Sequence, residues 1–399
     1  MSSNRPIRER ITKGQLLLAL GVIYVVLLVG LDFLRFAPRK DELHFWPTAL
    51  SFSMSWLPSP AQLRGYPELN TPLPFLIFGA LEHLLHGGIA VGRYLNFITS
   101  FGVIALIVMS SGTTRSAARA VTGLMLFPYY LGVSTHLYTD IIAAALVLLG
   151  LRFHLKQKAA LSALCFALAI ASRQLTVAFP LAIVVYELRR PGRFRFSELP
   201  RWVAPALGAA TLSGWIWLFG GPAPRGALDL EGVEANRLQM LDPAHITHAL
   251  ACVGLFYVIP EFLLFRGNRR LEKPVWLTLG IVVATIAFCM AFPSLANPRR
   301  VPTLGLFDQL LIMAKPLSRT IVYAVLAALC TVRFSDLSLA GLLVASNAAI
   351  LLLSDQMWEK YALALLVCLW FLRGQEGKRL DPLRDSDVPT VALTRHSVA

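Results

Sequence analysis

Charge is scarce in this sequence. Only 15% of its 399 residues are Asp, Glu, Lys or Arg, against about a quarter in a soluble domain. Period-2 alternation of apolar and polar residues is missing, which removes the strand reading. Paired cysteines are missing too. The five cysteines, Cys165, Cys252, Cys289, Cys330 and Cys368, each sit inside an apolar run. They read as small packing residues, not as disulfides or metal ligands. No Asn-x-Ser/Thr sequon occurs, which argues against a glycosylated surface. No P-loop, GxGxxG, zinc-protease motif or nucleophile elbow stands in a fitting context. Internal repeats, low-complexity tracts and a separate soluble domain are also lacking.

What remains is apolar sequence in long runs, 56% of the chain. A run of about 20 apolar residues matches a hydrocarbon core about 30 Å thick at 1.5 Å rise per residue. Backbone groups in lipid must bond internally, so these runs are expected to be helices. The fold class is therefore an all-α polytopic membrane protein. Spans are expected at about 15–36, 90–110, 116–134, 139–155, 202–219, 247–265, 274–292, 317–332, 337–353 and 358–372. Arg5, Arg8, Arg10 and Lys13 precede the first. It is too long for a signal peptide and lacks a small-residue cleavage site, so it is expected to stay as a span.

The net charge of +14 comes from basic residues scattered between spans. That pattern fits topology better than nucleic-acid binding, which gathers charge on one domain. Most Lys and Arg fall at the N-terminus, Arg115/Arg119, Arg152 to Lys158, Arg189 to Arg201, Arg266 to Lys273, Arg333 and the tail from Arg373. The positive-inside bias puts these, and both termini, in the cytoplasm. Segment 72–86 is amphipathic and reads as a short interfacial helix on the outer side. Segment 159–188 has basic loops at both ends, so it must go in and return. It is expected as two short helices meeting near Ser172-Arg173-Gln174. Outer regions are then 37–71, 220–247 and 293–315. Residues 1–375 form a single membrane domain, and 376–399 a polar, disordered cytoplasmic tail.

A few polar residues stand out against this background. Asp41 and Glu42 follow the first span on the outer side. They are either solvated loop charges beside Arg39 and Lys40 or a general base at the membrane surface. Asp140 heads another span on the same side. It is either a helix cap or a second acid facing the same pocket. Arg173 lies between two apolar half-helices, where charge is costly and function is the default reading. It either pairs with an acid, snorkels, or binds a phosphate bidentately. Arg299, Arg300 and Lys360 are candidates for the same anion or interfacial anchors. The pairs His83/His86 and His245/His248 have helical spacing for a metal but no evident third ligand.

Asp41-Glu42-Leu43-His44-Phe45-Trp46-Pro47 resembles the first-loop motif of the dolichyl-phosphate-glucose α-1,2-glucosyltransferases. That family reads Asp-Glu, an aliphatic residue, Phe-His, an apolar residue, then Pro; here the order is His44-Phe45. Asn70-Thr71-Pro72-Leu73-Pro74 is similar to the family's Thr-rich, Pro-containing segment. Gly92-Arg93-Tyr94-Leu95-Asn96 resembles its Leu-Arg-x-x-Asn, Tyr138-Thr139-Asp140 its Tyr-Thr-acid, and Ser172-Arg173-Gln174-Leu175-Thr176 its Arg-Gln-Thr-Asn. Order and spacing agree from Lys40 to about Pro180. Near the C-terminus, Ser354-Asp355-Gln356 to Glu359-Lys360-Tyr361 takes the place of the family's His/Asn/Arg-rich element. The wider resemblance is to the GT-C glycosyltransferases, which implies a bundle of about 10–12 transmembrane helices with a short amphipathic helix in the first outer loop.

The resemblance implies inverting transfer of glucose or another hexose from a polyprenyl-phosphate donor to a lipid-linked or other glycan acceptor, on the extracytoplasmic side. Asp41, Glu42 and Asp140 would be catalytic. Arg173, Arg93, Arg300 and Lys360 would hold the donor phosphate, and His44, Gln174 and Tyr138 the acceptor or sugar. No metal or other cofactor is obligatory, because the leaving group is a single phosphate. The short loops and divergent C-terminal half suggest a prokaryotic-type relative. The membrane would be the plasma (inner) membrane in a prokaryote and the endoplasmic reticulum in a eukaryote. The rival reading is a flippase or transporter of polyprenyl-linked sugars, where two short helices meeting at a polar point also form a substrate site.

Overall fold

The computed structural model describes residues 11–190, 193–230, 241–265, 274–294, 305–311, 313–354 and 358–376. These residues are helical, with no strands among them, and the chain has the character of a helical membrane protein. Five helices are long and apolar enough to cross a bilayer: Lys13–Leu31, Ile89–Ser110, Leu199–Phe219, Ala244–Leu264 and Pro316–Phe334. Arg299, Arg300 and residues 377–399 of the expected tail lie outside the described residues.

Local signals explain the element ends. Helix α1 (Lys13–Leu31) begins in a capping box: Gln15 N–H donates to Thr12 Oγ1 and Thr12 N–H to Gln15 Oε1. It stops where Asp32 turns left-handed, at φ 45°. Three short helices follow, α2 (Glu42–Ser53), α3 (Pro60–Gly65) and α4 (Leu73–Leu85). Helix α4 was expected from the sequence; α2 and α3 were not. Helices α2 and α4 pack closely, because a Cβ on Gly79 would sit 2.8 Å from the Ala49 carbonyl oxygen. Leu43 of α2, Leu84 and Leu85 of α4, and Met54, Trp56 and Leu57 just after α2 are apolar and exposed. That arrangement suits a pair lying in the membrane interface.

The middle of the chain supplies α5 (Ile89–Ser110), α6 (Thr114–Met125), α7 (Pro128–Ser134), α8 (Asp140–Leu155), α9 (Ala159–Ser172), α10 (Ala178–Leu188) and α11 (Leu199–Phe219). The rest holds α12 (Arg225–Leu230), α13 (Ala244–Val253), α14 (Ile259–Leu264), α15 (Val275–Ala291), α16 (Leu306–Leu311), α17 (Pro316–Phe334), α18 (Leu339–Ile350) and α19 (Leu363–Gln375). Helices α13 and α14 are continuous through a π turn at Gly254–Val258.

Polar contacts sort the helix ends into two layers. At one, Lys13 Nζ donates to the Ser111 carbonyl, His154 pairs with Glu187, and Arg333 and Arg373 both pair with Glu261. At the other lie Asp41, Glu42, Arg93, Asp140, Arg173 and Lys360. Helices α8, α9 and α10 run between these layers. Asp140–Arg173 ties their ends in the second layer and His154–Glu187 ties α8 to α10 in the first. The segment 159–188 therefore does go in and return, as a helical hairpin. Arg173, however, is not suspended between half-helices. It sits at the hairpin tip, level with the start of α8, because α9 is nearly as long as α8: 14 against 16 residues.

The core centres on α5, α8 and α19, where Ile104, Val147, Leu366 and Trp370 are fully buried. Outer faces are apolar instead. Leu18, Val22, Val26 and Val29 of α1 and Val275, Trp276, Leu279 and Val283 of α15 are exposed, as lipid-facing residues would be. Lipid is as apolar as these side chains, so packing and polar ties hold the bundle together.

Candidate functional site

The site forms where α2, the loop before α8, the α9–α10 tip and the turn before α19 meet. Asp41 stands just ahead of α2, and its carboxylate pairs with Lys360 Nζ. Lys360 comes from the 3-10 turn Glu359–Ala362 that leads into α19. Its ammonium also lies 4.3 Å from the Trp358 ring centre and 5.0 Å from that of Tyr138. Such aromatic faces attract a cation. The Asp41 side chain keeps 23% of its surface exposed, so it remains reachable from water.

Asp140 heads α8 and pairs with Arg173. Both are largely buried, at 5% and 12% exposure. The Arg173 guanidinium carbon lies 5.0 Å from the Tyr361 ring centre. A cleft runs from the Asp140–Arg173 pair to Lys360, lined by Asp140, Arg173, Thr176, Asn347, Lys360 and Tyr361. Its other walls are Leu175, Phe179, Ile350, Leu351 and Leu363. A second, mainly apolar cavity lies on the far side of Tyr361, walled by Leu250, Val253, Val344 and Trp358. The two share Asn347, Leu351 and Tyr361.

Backbone ties hold these parts in place. Asn96 Nδ2 donates to the carbonyls of His136 and Tyr138, both at 2.8 Å, and fixes the loop before Asp140. Thr71 Oγ1 donates to the Ile170 carbonyl and Gln174 Nε2 to the Leu69 carbonyl, both at 2.6 Å. These two bonds lock the segment before α4 to the α9–α10 tip. The Tyr138 ring lies beside the Lys360 ammonium, and Gln174 is engaged with the backbone.

Glu42 and Arg93 take a different place from the one expected. Both side chains are fully buried. Arg93 grips Glu42 bidentately, Nε–Oε1 2.8 Å and Nη2–Oε2 2.7 Å. Its Nη1 donates to the carbonyls of Phe33 and Phe36, and Nη2 reaches that of Ala37. No donor is left for a phosphate. Glu42 also accepts from the Leu137 N–H at 2.7 Å and the Arg39 N–H at 3.2 Å. Burial pushes its pKa up, but the guanidinium and the Leu137 N–H outweigh that and hold it below the usual carboxylate range. This pair clamps the first outer segment to α5, and neither side chain lines the cleft described above.

His44 is also not brought into the cleft. It is exposed, while Phe45 turns inward and packs edge-on against Phe75 and Tyr138. Helical geometry puts adjacent residues on different faces. The order His44-Phe45 therefore turns a phenyl ring toward the core, against Phe75 and Tyr138. Three of the four histidines of the helical pairs are engaged elsewhere: His83 with the Ser53 carbonyl, His245 with that of Leu351, and His248 with Ser294.

Two residues beside the site, Glu359 and Tyr129, were given no role from the sequence. Glu359 is fully buried and accepts from the Tyr129 hydroxyl at 3.0 Å and the Phe307 N–H at 2.7 Å. An acid directly ahead of Lys360 was the available signal. Comparison of the chain with protein-family models, with curated proteins and with solved structures finds no match in any of the three.

Proposed function

We propose that the chain is a membrane glycosyltransferase of the GT-C type, taking glucose or another hexose from a polyprenyl-phosphate donor. The acceptor is a lipid-linked or other glycan on the extracytoplasmic side. One observation carries this reading. Asp140, Arg173 and Lys360 line one cleft whose other walls are mostly apolar and belong to the helix bundle, and Asp41 pairs with the Lys360 ammonium. An isoprenoid phosphate needs cations for its head and apolar walls for its tail. A glycosyl transfer needs a carboxylate within reach of an acceptor hydroxyl.

In this mechanism the donor phosphate engages Arg173 and draws Lys360 away from Asp41. The freed Asp41 carboxylate takes the proton of the acceptor hydroxyl. The acceptor oxygen attacks the anomeric carbon from the face opposite the phosphate, so the configuration inverts. The bond from that carbon to the phosphate oxygen breaks, and polyprenyl phosphate leaves with the electron pair. Arg173 and Lys360 stabilise the charge that develops there. Asp140 orients Arg173, and no step requires a metal.

The hairpin tip at Arg173 also suits a flippase of polyprenyl-linked sugars, since a helix break with a charged residue forms transporter sites as well. Reconstitution in vesicles with polyprenyl-phosphate hexoses and glycan acceptors separates the two. Transfer of labelled sugar supports the enzyme; lipid-sugar movement across the vesicle without transfer supports the flippase. Within the transfer assay, Arg173→Ala is expected to raise donor KM about tenfold or more, the value of one charge-assisted contact. Unchanged donor KM would remove Arg173 from the phosphate site.

A further inference from the structure

The Glu359 carboxylate is buried at the joint between three segments of the chain. It has no exposed surface, yet among the described residues no Lys, Arg or His lies within ion-pair distance of it. Burying a polar group is costly unless its hydrogen bonds are made, so its donors matter. What it does have is two short donors from different segments. The Tyr129 hydroxyl donates to Oε2 at 3.0 Å, and the Phe307 N–H donates to Oε1 at 2.7 Å. The same Tyr129 oxygen accepts from the Leu306 N–H at 2.7 Å. One carboxylate and one phenol thus hold the first two amides of α16.

Three further facts bear on this. A Cβ on Gly305 would overlap the Glu359 carboxylate, so the backbone ahead of α16 is seated directly against it. Phe307 is buried edge-on against Tyr323 of α17, while Leu306 and Leu310 face outward and are exposed. And Glu359 opens the 3-10 turn that carries Lys360 and Tyr361, the two residues facing the cleft.

The geometry points to Glu359 as a positioning residue that couples the segment Gly305–Leu311 to the cation site, with Tyr129 as its relay. Holding both amides of α16 fixes the carboxylate. The fixed carboxylate sets the turn, and the turn sets where the Lys360 ammonium and the Tyr361 ring stand. Coupling of this kind is reciprocal. An anion bound at Lys360 and Arg173 tightens the hold on Leu306 and Phe307, and loss of that hold weakens the anion. This inference rests on the phosphate reading of the cleft.

The test uses the whole purified protein with a short-chain polyprenyl monophosphate in detergent as probe. Two quantities are measured: amide hydrogen exchange at Leu306 and Phe307, and affinity for the probe. The variants are Glu359→Ala, Tyr129→Phe and Gly305→Ala. Gly305→Ala displaces the carboxylate while leaving every ionisable group in the chain. In the wild type the probe is expected to slow exchange at both amides. In Gly305→Ala and Glu359→Ala both amides exchange faster, and probe affinity falls about tenfold, as for a lost hydrogen bond to a charged group. Tyr129→Phe speeds Leu306 more than Phe307. Should Glu359→Ala fail to fold, the other two variants carry the comparison. Unchanged exchange in Gly305→Ala overturns the fastening. Faster exchange with unaltered probe affinity overturns the positioning role alone. A wild type that binds no probe, with exchange still faster in the variants, overturns the phosphate reading and the positioning role together.

Discussion

Asp41 and Glu42 leave one turn of backbone toward different partners. Glu42 goes inward to Arg93 and the Leu137 N–H, and Asp41 to Lys360 at the cleft. Removing one member of a buried ion pair leaves the other charge uncompensated, at a cost of about 3–5 kcal/mol. Glu42→Gln is therefore expected to lower thermal stability in detergent strongly. The pH dependence follows in sign. The folded pKa of Glu42 lies below its unfolded value of about 4.3. Its contribution is present above that unfolded value and is lost as pH falls through the folded one. The stability gap between wild type and Glu42→Gln should narrow as pH drops below about 5. A gap that stays constant down to pH about 3 would contradict the assignment. The sequence put two acids in the right place but did not separate their tasks. Separation depends on which face of α5 meets the turn, and only packing decides that. The His44-Phe45 order was visible as a departure from the family pattern, but its consequence, Phe45 inward and His44 outward, required α2 to be seen as a helix.

Some helix limits were legible because lipid imposes one rule on a span; others were not, and the expected span 116–134 is two helices, Thr114–Met125 and Pro128–Ser134, broken ahead of Pro128. Span 90–110 was expected and Ile89–Ser110 is found; span 247–265 was expected and Ala244–Leu264 is found. The in-and-out course of 159–188 was legible for the same reason, from basic loops at both ends. The level of Arg173 was not, since it follows from the near-equal lengths of α8 and α9 and the Asp140 contact. Helix α2 escaped notice because Pro47 interrupts its pattern; yet α2 carries Asp41 at its entrance and is braced by α4. That brace depends on the bare Cα of Gly79. Gly79→Val is expected to force α2 and α4 apart at a cost of about 1–3 kcal/mol, the usual range for overpacking. Its signature would be a lowered melting temperature together with reduced transfer, as Asp41 moves off Lys360. A Gly79→Val protein with wild-type melting and wild-type transfer would show that the close approach is not needed.

At the scale of the whole molecule, the four residues of the two ion pairs come from widely separated parts of the chain. Asp41 follows the first span, Asp140 and Arg173 bracket the α8–α9 pair, and Lys360 precedes the last helix. The fold gathers them in one of its two polar layers. The other layer holds Lys13, Arg333 and Arg373, members of the basic clusters that the positive-inside bias assigns to the cytoplasm. On that orientation the cleft opens to the extracytoplasmic side, where a lipid-borne sugar and a glycan acceptor would meet. The central claim is that Asp41 removes the acceptor proton there. It is tested most directly by comparing wild type with Asp41→Asn, reconstituted with polyprenyl-phosphate hexoses and glycan acceptors, while measuring donor binding and sugar transfer together. Asparagine keeps the shape and loses the base, so donor binding should persist while transfer falls about 100-fold or more, the usual contribution of general-base catalysis. Transfer by Asp41→Asn at the wild-type rate would contradict the account.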